Sequence, residues 1–224
     1  MDPSKYHLIS LINIGGKVLE KLLINRINHH MYKNELQIDN MDLCCRRVQQ
    51  TDMKAKKFIE LELENRKVVI MASLGIKGAF DAAWWPSILN GLKDSECPRN
   101  LYYLSQGYFS QRTAVMSTNS FSIERSVTKE CPQVSCCGHG FWNLLYNSLL
   151  KLDFISHSEV IAFADDLMIL TKGKSIVEAE NYTNLELRKI SNWAYNKKLK
   201  FDEHKSKVMP MSCRKRKEGR NILK

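Results

Sequence analysis

Two adjacent aspartates, Asp165 and Asp166, interrupt the apolar run IAFADDLMIL at residues 161–170. Ionised neighbours repel, and burying them without partners costs more than a strand this short can offset. A hairpin turn tolerates aspartates for dull reasons, since they take Asx-turn geometry and stay wet. Flanked by IAF and LMIL, however, this turn is held rigidly on an otherwise buried sheet. A divalent cation between adjacent carboxylates cancels their repulsion. Oxygen-only ligands suit Mg²⁺, which takes one or two carboxylates together with substrate phosphates. Two such ions about 3.5–4 Å apart can activate an attacking hydroxyl and stabilise a leaving pyrophosphate. Such a site needs a third carboxylate on a neighbouring strand, and the obvious neighbour is KVVIMASLGIKGAFD.

The elements around the pair follow from periodicity. KVVIMASLGI is β-branched and apolar on both faces, as a central strand would be. SEVIAFADDLMILTK reads as strand, tight turn, strand, and AVMSTNSFSIERSV as two short strands around a polar turn. IGGKVLEKLLINRINHHMY reads as an amphipathic helix with Val18, Leu19, Leu22, Leu23, Ile27 and Met31 as its apolar stripe. Residues 33–50 read as loop, and a second helix is expected to be capped near Thr51. AAWWPSILNGL reads as a helix that Asp81 would cap, with Trp84 and Trp85 as packing residues. GFWNLLYNSLLKL is a helix with Phe141, Leu144, Leu145 and Leu149 inward. A further helix at about 175–195 carries Ile176, Ala179, Leu187, Ile190 and Ala194 on one side. A short polar strand, LKFDEHKSKVMPM, and a basic tail follow. Strands, hairpins and helices mixed in this order give an α+β class, with an antiparallel sheet and helices packed on one face.

At 224 residues the chain can bury a real core, and 44% hydrophobic with 26% charged residues argues against wholesale disorder. The formal charge is +10, and residues 200–224 supply +6 of it, from nine Lys/Arg against three Asp/Glu. That balance suggests a polyanionic partner, nucleic acid before anionic membrane, although a solvated basic surface explains it equally well on charge alone. The longest apolar run, VVIMASLGI, is too short to span a bilayer, and MDPSKYHLIS has no secretory pattern. Seven irregularly spaced cysteines suit reduced thiols, so the expected location is intracellular, cytoplasmic or nuclear.

FADD at 163–166 resembles the active-site hairpin of reverse transcriptases, and other landmarks of that family stand around it in order. SLGIKGAFDAAWWPSIL at 73–89 is similar to the first palm motif of LINE-type (non-LTR) retrotransposons. CPQVSCCGHGFWNLLYNSLL at 131–150 resembles the second motif, a Pro-Gln-Gly turn leading into a helix, and LKFDEHKSKVM at 199–209 resembles the segment after the long helix. YHLISLINIGGKVLEKLLINRI at 6–27 is similar to the opening fingers motif, and the whole is closest to the insect R-element group. The resemblance implies a right-hand polymerase with fingers at 1–66, palm at 67–212, a basic tail at 213–224 and no thumb. It implies RNA-directed DNA synthesis by two-metal nucleotidyl transfer with Mg²⁺, acting on an RNA or DNA template–primer and deoxynucleotides. By position, Asp165 and Asp166 would be metal ligands, Lys205 a general acid for the departing pyrophosphate, Phe80 the gate against a ribose 2′-OH, and Gln133 a template and nucleotide contact. Phe80 and Lys205 also have plain readings, as a core ring and a solvated surface lysine.

The departures from the pattern matter as much. Gly75 stands where the family has its first catalytic aspartate, so both ions should bind weakly or out of register. Val134 replaces the glycine of Pro-Gln-Gly, Glu130 another family glycine, and His139 a proline, while His7 and Leu8 replace an Arg-Pro pair. Residues 41–47 retain little of the usual Gly-Phe loop, and neither an endonuclease nor a thumb is expected. The expectation is therefore a polymerase fragment of impaired activity. The rival is a non-catalytic nucleic-acid-binding remnant, for which RKRKEGR at 214–220 and the net charge suffice. Zinc binding by Cys131, Cys136, Cys137 and His139 is disfavoured, since adjacent cysteines point awkwardly for a metal knuckle.

Overall fold

The structure, a computed structural model, describes residues 12–36, 41–42, 48–117, 120–131, 135–163 and 165–213. In chain order the elements are α1 (Ile14–Lys33), β1 (Met41–Asp42), α2 (Val48–Glu64), β2 (Val68–Ile76), α3 (Ala79–Ala82), α4 (Trp85–Asp94), α5 (Arg99–Phe109), β3 (Thr113–Ser117), β4 (Ser122–Ser126), α6 (Gly138–Leu150), β5 (Ser158–Phe163), β6 (Asp166–Gly173), α7 (Ile176–Asn196) and β7 (Phe201–Met211). Five strands form one sheet in the order β1-β5-β6-β2-β7, and β3 with β4 forms a separate hairpin. Every pairing in the large sheet is antiparallel except β1 with β5.

Alternation along the central strands divides the core. Ala72 and Ile76 of β2, Leu167 and Ile169 of β6, and Val160 and Ala162 of β5 face the large cluster built on α4, α6 and α7. Met71, Met168, Leu170 and Ile161 point the other way, onto Ala55, Phe58 and Ile59 of α2. The main helical layer packs on one face as expected, and α2 adds cover on the second. The physical reason is the strands themselves, which are apolar on both faces and would otherwise leave one apolar face in water. Glu62 locks α2 down by accepting from Lys67 at 2.8 Å and from Lys172 of β6 at 2.7 Å.

Several element boundaries shift. α2 starts at Val48, so Thr51 lies inside the helix and does not cap it. The segment expected to be one helix is broken: α3 ends at Ala82, and α4 starts after Trp84 with Pro86 in its first turn. Asp81 therefore sits in the first turn of α3 and does not cap the Trp-containing helix. Trp85 is the packing residue expected, stacked on Phe109 at 5.2 Å, while Trp84 lies under the Lys198 ammonium at 3.8 Å. On α1 the buried stripe is Glu20, Leu23, Ile24, Ile27 and Met31, whereas Val18, Leu19 and Leu22 are exposed. α6 buries Phe141, Leu144, Leu145 and Leu149 as expected, and α7 buries Ala179, Ile190 and Ala194. Ser175 caps α7 by accepting from the Glu178 N–H.

Glu20 is fully buried and joins three elements. Its carboxylate accepts from the Tyr108 hydroxyl of α5 at 2.5 Å and from the Cys136 N–H, just ahead of α6, at 2.9 Å. Orphan donors at the start of a helix and a carboxylate beside its positive end make a favourable match. α1 and α6 approach so closely that a Cβ at Gly140 would collide with the Ile24 side chain.

Glu130 adopts φ 118°, in the range that glycine occupies freely and other residues pay to enter. Its backbone is held on both sides, the N–H donating to Ala83 O at 2.9 Å and the carbonyl accepting from Trp85 Nε1 at 2.8 Å. Reinstating glycine, Glu130→Gly, should stabilise the fold by about 1 kcal/mol, read as a higher urea midpoint; an unchanged or lower midpoint would show that the surrounding bonds relieve the strain.

Candidate active site

The tight hairpin between β5 and β6 closes on the pair Phe163↔Asp166. Asp165 sits in that turn and Asp166 opens β6. In the β2–β6 register Gly75 is the direct partner of Asp166, and directly paired residues project from the same sheet face. A Cβ built at Gly75 would lie 3.4 Å from Asp166 Oδ1. The third-ligand position inferred from sequence thus faces the hairpin, through Asp166 and not through Asp165. Asp165 contacts the same strand end through its backbone, its carbonyl accepting from the Ile76 N–H at 3.4 Å.

On the far side of Gly75 stands Asp202 of β7. The β2–β7 register jumps between Ser73↔Lys207 and Gly75↔Asp202, so residues 203–206 all lie opposite Leu74. With four residues against one, this insertion is a large bulge, a device that re-aims side chains beside functional sites. Its own bonds stabilise it: His204 N–H donates to Asp202 Oδ1 at 3.0 Å, and the Ser206 hydroxyl donates to Asp202 O at 2.8 Å. The bulge lays Lys205 over Gly75, with a Cβ at 75 falling 2.8 Å from Lys205 Cβ and 3.2 Å from its Cδ. Asp202 and the bulge escaped the sequence reading, because LKFDEHKSKVM shows no break in its polar pattern.

Electrostatics follow the geometry. Partial burial and the Asp165 charge raise the Asp166 pKa above the ordinary carboxylate range, and the Lys205 charge works against them. Asp166 is exposed over the residue as a whole, which weakens all three effects through solvent screening. A carboxyl whose folded pKa is raised binds more protons folded than unfolded, so its stabilisation is complete below the unfolded pKa and lost as pH rises through the folded one. Asp166→Asn should therefore raise the melting midpoint at pH 7, with the gain shrinking towards pH 4, the ordinary aspartate value of 3.8 lying just below. A destabilised Asn variant at pH 7 would mean that the carboxylate is already well neutralised. Tyr146, fully buried and stacked on Trp142 at 5.3 Å, is kept protonated by burial and by both aspartates.

The remaining candidates divide. Phe80 is half-buried, with its ring 5.6 Å from Trp142 and 5.1 Å from His139. Gln133, Val134, His7 and Leu8 lie outside the described residues. Cys131 and Cys137 are buried, their thiols held protonated by burial, with Cys137 pushed up to about 12, whereas Cys136 is exposed. Among the described residues no three His, Cys, Asp or Glu side chains converge as a metal site, and no helix is long and apolar enough to cross a membrane.

A carboxylate hairpin paired with a central strand, ahead of a long helix and beneath a helical layer, is an arrangement of the right-hand polymerase fold. Solved structures show the same fold: apo telomerase from Candida tropicalis, truncated of its C-terminal domain, superposes with a TM-score of 0.64 at 9% identity, covering 87% of this chain and 40% of that chain. Telomerase from Candida albicans with a telomeric RNA fragment gives a TM-score of 0.61 at 9% identity, over 85% and 35%. The chain belongs to the reverse transcriptase (RNA-dependent DNA polymerase) family, whose profile matches residues 1–218. It is 31% identical over 183 residues to a 115 kDa protein of the type-1 retrotransposable element R1DM of Drosophila melanogaster, covering 78% of this chain and 16% of that protein. It is 25% identical over 213 residues to the RNA-directed DNA polymerase from mobile element jockey of the same organism, covering 91% and 23%. The chain thus spans less than a quarter of the length of either relative.

The family generally uses divalent metal ions, and the residues present fit that requirement only in part. Asp165 and Asp166 supply two carboxylates, Gly75 supplies none, and the space beside it is taken by Lys205. A site built for two dications does not fit this donor set.

Proposed function

We propose that this chain is the fingers (1–66), palm (67–212) and basic tail (213–224) of a non-LTR retrotransposon reverse transcriptase, which holds a template–primer but transfers nucleotides poorly. The observation that carries the reading is the register Gly75↔Asp166, which sets a glycine directly opposite the hairpin carboxylate. Asp165 and Asp166 are the ligands of whatever cation binds, and Lys205 is the general acid for the departing pyrophosphate. Phe80 combines packing on Trp142 with a position near the palm strand, and Gln133 remains a proposed template and nucleotide contact.

Nucleic acid is the partner that the surface favours. Lys205 and Lys207 lie on β7, beside the central strand β2, and the chain carries a formal +10. Phosphate neutralisation by such lysines releases counterions, so binding depends steeply on salt and little on sequence. The test is fluorescence anisotropy with a labelled DNA primer annealed to RNA, at rising salt, with and without Mg²⁺. We expect affinity to fall about 10-fold or more between 50 and 200 mM salt and to be insensitive to Mg²⁺. Salt-independent binding, or none at low salt, would contradict the reading.

A further inference from the structure

We propose that Lys205 blocks the third-ligand position of the hairpin: its stem fills the volume that a side chain at 75 needs, and its ammonium competes with divalent cations at Asp166. The inference rests on reading the hairpin as a metal site and adds that positions 75 and 205 are coupled.

The geometry is local and specific. A Cβ at 75 would come within 2.8 Å of Lys205 Cβ, an atom fixed to the backbone of the β7 bulge and unable to swing aside. The bulge itself is tied by Asp202 to His204 and Ser206, so residues 203–206 cannot retreat without losing those bonds. Gly75 sits in a regular extended strand, paired on both sides, and has no conformational need for glycine. Space is the reason that remains. The Lys205 charge also acts on Asp166, in the direction a bound cation would. A carboxylate restored at 75 alone would therefore meet the lysine stem before it met a metal.

The test is a cycle of variants, Gly75→Asp, Gly75→Ala and Lys205→Gly, singly and combined, on the full chain. Two readouts are used: the thermal midpoint without metal, and Mn²⁺ binding followed by electron paramagnetic resonance. Gly75→Asp and Gly75→Ala should each lower the midpoint by about 5 °C, the effect of overpacking a tight site. Adding Lys205→Gly should recover most of that loss, and Gly75→Ala keeps the coupling measurable if the aspartate variant does not fold. Mn²⁺ affinity should be unchanged in Gly75→Asp and modestly higher in Lys205→Gly. In the double variant, Gly75→Asp with Lys205→Gly, it should be about 10-fold or more higher through the added carboxylate. Tight Mn²⁺ binding by Gly75→Asp alone, with an unchanged midpoint, would overturn the blocking while leaving the metal hairpin intact. Recovery of the midpoint with no Mn²⁺ gain in the double variant would overturn the competition, and with it the reading of the hairpin as a metal site.

Discussion

Trp142→Ala should destabilise the fold by about 4 kcal/mol, the range for deleting a fully buried large aromatic. Trp142 is wholly buried in α6, stacked on Tyr146 at 5.3 Å and 5.6 Å from Phe80. Truncation removes the indole from the centre of the main cluster and leaves both neighbours facing a cavity. The surroundings cannot collapse readily, because Tyr146 is also wedged against Trp193 at 5.9 Å. Against a total stability of about 5–15 kcal/mol, the loss is a large fraction. Urea denaturation checks it through the midpoint at unchanged slope. A loss below about 1 kcal/mol would mean that Trp142 is not at the centre of a packed core.

Glu20→Ala should cost about 3 kcal/mol, through a different mechanism. The carboxylate is fully buried, and its removal strands the Tyr108 hydroxyl and the Cys136 N–H, each an orphan donor costing about 1–3 kcal/mol. Relief from burying a charge offsets part of that cost. Glu20→Gln keeps an acceptor and should lose less than half as much. Equal losses for Ala and Gln would show that the charge, and not the hydrogen-bond count, is what the site uses. Because Glu20 ties α1 to α5 and to the start of α6, the alanine variant should also loosen α1. Faster amide exchange along Leu23–Met31 would register this.

Much of the central sheet was legible in the sequence for a plain reason. The strands are short, strongly apolar and bounded by turns, so IAFADDLMIL reads as a hairpin and KVVIMASLGI as a central strand beside it. The register that sets Gly75 beside Asp166 is a finding of the structure. What was missed depended on side chains that break their local pattern. Glu20 reads as solvent-facing on a helix whose apolar neighbours, Val18, Leu19 and Leu22, turn out to be exposed. RNLYYLSQGYF, which forms α5, mixes Ser, Gln and Gly into its turns and shows a weak stripe, with Leu101, Ser105 and Phe109 buried. The cover of α2 on the second sheet face was signalled by strands apolar on both sides, but the helix that provides it is polar along most of its length. The β7 bulge had no signal, since three extra residues in a polar strand look like any others.

The most direct measurement is Mg²⁺-dependent primer extension by the unmodified chain on an RNA template, beside the double variant that joins Gly75→Asp to Lys205→Gly. Loss of metal-borne stabilisation of the transition state is worth several kcal/mol, so the unmodified chain should run about 10³-fold or more below a competent polymerase. We expect bound but unextended primer from the natural sequence. Efficient extension by that sequence, with Gly75 and Lys205 in place, would contradict the reading of an incomplete metal hairpin.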